Sequence, residues 1–142
     1  MKATNQRSKI ILKSSCYNLL IFSIGAIGYY TVEILYRGRS HWTMAICGGI
    51  CLITIGYINK AMKNISLLLR ALLCAIAITA VEFICGCIVN LWLNMCVWDY
   101  SSSPLNLLGQ ICPLYSFYWF ILSILICGVI SLFQKKERSS HV

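Results

Sequence analysis

Residues 71–98 read ALLCAIAITAVEFICGCIVNLWLNMCVW, and between Arg70 and Asp99 the only charge in this apolar run is Glu82. A hydrocarbon core of ~30 Å takes about 20 helical residues. The run therefore holds one transmembrane helix, placed at 67–90, and the same test applied outward finds three more. Residues 14–32, 42–59 and 100–134 carry no charge; they hold spans at about 15–36, 42–59 and 113–134, the last preceded by a loop. The sequence thus predicts an all-α polytopic bundle of four membrane helices forming a single integral membrane domain over 1–142. Short basic tails at 1–13 and 135–142 flank it, with no repeat and no soluble domain.

Composition agrees. The 142 residues are 59% hydrophobic and 11% charged, with a mean hydropathy of +0.77, far from the ~45–50% apolar and ~25% charged of soluble domains. That balance excludes a water-soluble enzyme, a disordered tail and a nucleic-acid-binding domain. The net charge of +8 has a topological source. Lys2, Arg7, Lys9 and Lys13 lie before span one, Lys60, Lys63 and Arg70 follow span two, and Lys135, Lys136 and Arg138 follow span four. Only Arg37 and Arg39 fall on the other side. The positive-inside rule then places both termini in the cytoplasm, and the bilayer, with its anionic lipids, is the partner of the basic tails. The first span is read as a retained helix, since its apolar run exceeds a signal h-region and no small-x-small site follows. The terminal Ser-Ser-His-Val shows no lipid-anchor motif.

Aromatic residues mark the outer interface, where indole and phenol rings anchor: Trp42, Trp92, Trp98 and Trp119, with Tyr29, Tyr30, Tyr36, Tyr100, Tyr115 and Tyr118; most are read as anchors, a minority as residues that could line a site. Two acids then need an account. Glu33 lies about 30 Å beyond Lys13 at 1.5 Å per residue, where it reaches water and pairs with Arg37 one turn on. Glu82 lies about 18 Å beyond Arg70, near mid-bilayer, where an ionised acid costs at least about 2.5 kcal/mol. It should face the bundle interior and be paired or protonated. Gly86, Asn90 and Asn94 continue its face at four-residue intervals. Arg37, Arg39 and the amides of 98–112 are its expected partners. Glu82 is either a structural lock or a titrating or coordinating group in a cavity open to the outside.

Small residues (Gly25, Gly28, Gly48, Gly49, Gly56, Ser116, Ser123, Cys127, Ser131) put close-packing faces on the helices. No His or acid stands at ligand spacing beside Cys47 and Cys51 or Cys85 and Cys87, so neither a metal site nor a cofactor is expected. Cys96 and Cys112 bracket the external segment and could form a disulfide, although spacing does not establish connectivity. Catalytic motifs fail: the histidines are His41 and His141, the Glu33-x-x-x-Arg37 pattern lacks the histidines an intramembrane protease needs, and there is no phosphate-binding loop. In 98–112, serines before Pro104 read as an N-cap with proline at the first helical position. They predict a short helix near 104–110 that lies over the outer mouth as a lid, with Asp99, Asn106 and Gln110 meeting Arg37 and Arg39.

Tyr36-Arg37-Gly38-Arg39-Ser40-His41-Trp42-Thr43-Met44, with Gly48-Gly49, Asn59, Trp98-Asp99-Tyr100-Ser101, Pro104 to Cys112 and Ser116 to Trp119, resemble a family of small bacterial ABC-transporter permeases, the CmpB type. The resemblance covers most of the chain. It implies a multi-pass protein of four to five spans in the bacterial inner membrane, with Arg37, Arg39, His41, Trp42, Glu82, Asp99, Asn106 and Gln110 in its signature. The four spans and the absence of a long coupling segment depart from a typical permease, leaving 60–66 to dock any ATPase. The expected function is a membrane transport component, working as a homo-oligomer or with an ATPase partner chain. Its candidate polar cluster is Glu33, Arg37, Arg39, His41, Glu82, Asn90, Asp99, Asn106 and Gln110. The alternatives are a scaffold or regulatory subunit and an intramembrane enzyme acting on a lipid-linked substrate.

Overall fold

The computed structural model describes the backbone of residues 2–139 and the side chains of 14–133. The side chains of Lys2, Arg7, Lys9, Lys13, Lys135, Lys136 and Arg138, and residue His141, lie outside the described residues. Four helices follow one another: α1 (Lys2–Arg37), α2 (Trp42–Ala61), α3 (Leu67–Gly86), which continues into a π-helical turn (Cys87–Trp92), and α4 (Pro113–Ser139). Each is long and apolar enough to cross a membrane, over Ser14–Arg37, Trp42–Ala61, Leu67–Trp92 and Pro113–Phe133. There are no strands among the described residues. The described backbone of the basic tails, 2–13 and 135–139, continues the first and last helices.

Local chemistry sets the helix ends. Gly38 adopts φ +69° and its N–H returns to Ile34 O at 2.9 Å, the left-handed cap that glycine permits. Ser66 caps α3 by accepting from Leu69 N, and Pro113 opens α4 where its missing N–H costs nothing. At the far end of α3, Leu93 N reaches back five residues to Ile88 O at 2.9 Å. This wider turn carries the span on to Trp92, slightly beyond the expected 90.

The chain divides into two compact units, 1–53 and 54–142. In the first, α1 and the start of α2 approach through glycine, as the small residues predict: a Cβ on Gly25 would sit 2.5 Å from the Gly48 carbonyl oxygen. Phe22 covers Gly49 so closely that a Cβ there would lie 2.5 Å from its ring. Gly28 and Gly56, by contrast, face open space.

In the second unit α3 and α4 pack antiparallel along a polar seam. Stepping by four residues up one helix and down the other, Arg70 meets Ser131 (3.0 Å), Cys74 meets Cys127 (3.8 Å) and Glu82 meets Trp119 (2.8 Å). The rung between them is Ile78 and Ser123, both fully buried.

The short helix expected near 104–110 does not form. Leu105, Leu108 and Gly109 all take positive φ (56°, 53° and 69°), which breaks any right-handed helix, and an isolated antiparallel bridge joins Leu107 to Ile111. Asn106 outcompetes the proline signal. Its amide donates to Ser101 O (3.1 Å) and Ser103 O (2.8 Å), and its oxygen accepts from Gly109 N (3.0 Å), the local bonding that makes Asn a turn former. Cys96 and Cys112 are free thiols, one exposed and one buried. Left-handed backbone at Asn94 and Cys96 (φ 52° and 49°) accompanies the exposed one.

Candidate functional site

Glu82 is 2% exposed. The geometry that makes this tolerable comes from two elements distant in sequence. Tyr100, in the loop, donates its hydroxyl to Oε1 at 3.1 Å, and Trp119, in the second turn of α4, donates Nε1 to Oε2 at 2.8 Å. Each carboxylate oxygen thus receives a neutral donor, an arrangement that stabilises charge in a low-dielectric interior. Tyr100 stacks on Tyr115 (4.4 Å between ring centroids), and Tyr115 meets Tyr118 edge-on at 5.8 Å. The phenol that covers Glu82 is therefore itself braced by α4.

Above it the loop is fastened to α3 by Asn90. Its amide donates to Trp98 O (3.0 Å) and Gln110 Oε1 (2.8 Å), and its oxygen accepts from Val97 N (2.8 Å). Trp98 in turn donates Nε1 to Gln110 O at 3.0 Å, and Gln110 gives its amide to Leu108 O at 2.9 Å. Gly86 leaves the room for this: a Cβ there would lie 2.6 Å from Gln110 Oε1 and 3.0 Å from the Trp98 ring. The ridge predicted from four-residue spacing is thus real at Glu82, Gly86 and Asn90, all buried. Asn94, beyond the π turn, is exposed.

Several expectations need correction. Trp98 is 4% exposed and serves as the loop's core rather than an interfacial anchor. Asp99, Asn106 and Gln110 make hydrogen bonds inside the loop and, for Gln110, to Asn90 of α3, a pattern set by the turn geometry. Asp99 accepts from Ser101 N at 2.8 Å and from Ser101 Oγ at 2.9 Å. These two bonds, the backbone one foremost, hold its carboxyl below the usual range.

In the first unit Glu33 is 7% exposed rather than open to water. Arg37 donates to one of its oxygens at 2.9 Å and Ser40 to the other at 2.8 Å, so the expected Glu33–Arg37 pair is present. His41 Nδ1 lies 2.9 Å from Thr43 Oγ1 and accepts from Thr43 N at 3.4 Å, which caps the start of α2. The Arg39 side chain is exposed.

Sequence reasoning assigned Tyr100 and Trp119 to the interface and missed them as ligands of Glu82. Their signal was present in spacing, since Trp119 and Ser116 share a face of α4 with Ser123, but only the register between helices brings that face to Glu82. The same register buries Arg70, counted from sequence as a boundary cation, to 6% exposure.

Four membrane-competent helices, with a carboxylate buried between α3, α4 and the loop that joins them, define a polytopic membrane protein and fit a component of membrane transport. The chain belongs to the family described as Putative ABC-transporter type IV, which matches residues 19–141. No curated protein and no solved structure matches it.

Proposed function

We propose that this protein is the membrane-embedded, permease-like component of a bacterial inner-membrane transport system, with both termini cytoplasmic and Glu82 as the group that binds a proton or a polar substrate. The observation that carries this is Glu82 itself. A carboxylate near mid-span, buried beneath a loop and bonded by a phenol and an indole that can let go, is a costly feature that membrane proteins keep for function. Tyr100 and the 94–112 loop act as the cover, with Asn90 and Gln110 as its hinge side. Within the first unit Glu33 forms a polar group of its own with Arg37 and Ser40. Family membership supports a partner chain with ATPase activity, with residues 60–66 as the docking segment; self-association is the alternative assembly.

Copurification in mild detergent at native expression, followed by mass spectrometry, tests the partner: a stoichiometric ATPase is expected, and recovery of the chain alone or as a homo-oligomer would overturn the partnered form. Glu82→Gln keeps shape and removes the charge. It should leave abundance near wild type and abolish transport by the assembled complex. A scaffold, in contrast, would lose abundance with any change at 82, and full activity of both Glu82→Gln and Glu82→Ala would sink the role of the acid. Reporter fusions after residues 38, 62, 103 and 138 test the topology, with cytoplasmic signals expected at 62 and 138.

A further inference from the structure

We propose that Cys74 and Cys127 form a site for a soft monovalent metal ion of the copper(I) class, held between α3 and α4. The two sulfurs lie 3.8 Å apart, and both residues are fully buried. They come from different helices, so spacing along the chain gives no hint of them. A metal–thiolate bond of ~2.3 Å lets one ion bridge sulfurs up to about 4.6 Å apart, so a shift of under about 1 Å suffices for two-coordinate binding.

An amide donor and a guanidinium lie beside the two sulfurs. Asn59, itself fully buried, donates Nδ2 to Cys127 Sγ at 3.1 Å. Arg70 lies one turn from Cys74 on the same face. Among the described residues its guanidinium has one hydrogen-bond partner, Ser131 Oγ, and no carboxylate; its Nε is buried without a partner. A buried cation without a counter-charge is costly. Loading replaces two thiol protons with one monovalent ion, two S–H bonds giving way to two S–metal bonds, and leaves the site with one negative charge opposite Arg70. Thiolates select copper(I). Zinc needs four ligands, and no third His, Cys, Asp or Glu joins the pair among the described residues.

The test is anaerobic titration of the reduced full-length protein, in detergent, with copper(I) against the chromogenic chelator bicinchoninate. The background carries Cys16→Ser and Cys96→Ser, since those thiols are exposed. One tight equivalent is expected. It should be lost in Cys74→Ser and in Cys127→Ser, and weakened about tenfold or more in Arg70→Gln, which leaves the loaded site's charge unbalanced. X-ray absorption of the loaded parent, with the pair intact, should show two sulfur neighbours and so does not depend on any variant folding. The proposal is overturned if the parent retains no tight equivalent, if the equivalent survives loss of both cysteines, or if nitrogen or oxygen ligands dominate the spectrum.

Discussion

The two ends of the α3/α4 seam both bury polar side chains and satisfy them very differently. At the Glu82 end, a carboxylate, two amides, an indole and a phenol interlock, and every buried side-chain nitrogen and oxygen described there has a partner. From the Ile78–Ser123 rung down to the Arg70 end, Ser123 Oγ, Asn59 Oδ1 and Arg70 Nε are buried without one. Buried polar groups are normally bonded, so the first end is a closed network and the second an incomplete one. The contrast separates a loop held down by hydrogen bonds from a helix pair with buried polar atoms that lack partners. It also explains why the loop needs no helix of its own: the network supplies its order.

The largest effect should come from Asn90→Ala, which deletes three hydrogen bonds at about 1 kcal/mol each. Reversible unfolding in mixed micelles is expected to show a loss of about 3 kcal/mol, with the 94–112 loop becoming protease-sensitive. A loss below about 1 kcal/mol would mean the loop is not fastened there. Gly109→Ala comes next. Its φ of +69° costs a side-chain-bearing residue about 1–2 kcal/mol, and the new Cβ would lie 2.8 Å from Asp99 Oδ1. The same unfolding assay reads it, and Asp99→Asn in that background tests whether the carboxylate contributes to the clash.

A smaller effect attaches to pH. Asp99 titrates below its unfolded value because Ser101 donates to its charged form. The loop order it confers is complete above the unfolded pKa and is lost as pH falls through the lower folded value. The Ser101 amide resonance should follow that transition and cease to do so in Asp99→Asn. The least effect is expected from Ser123→Ala. A hydroxyl with no partner contributes no bond, so stability should stay within about 0.5 kcal/mol of wild type or rise. A large loss would show that the incomplete end is in fact occupied.

Span placement was legible from residue order because bilayer thickness and water's hold on Lys and Arg act through composition alone. The Glu82–Gly86–Asn90 ridge was legible for the same kind of reason, being a property of one helix. What escaped was everything decided between helices. Arg70 looked like a solvated end until Ser131 met it, and Trp119 looked like an anchor until the register brought it to Glu82. The lid misled differently: Ser103-Pro104 is a sound local start signal, but Asn106 and Gly109 favour turns, and three residues with positive φ decide the outcome.

The π-helical turn at Cys87–Trp92 gives this end of the span some slack. Drawing one residue out of it into ordinary α form would swing all that follows by about 100°, carrying Asn90 off the Trp98 carbonyl and Tyr100 off Glu82. The length of the third span and the seating of its cover are therefore one mechanical variable, adjustable in whole-residue clicks.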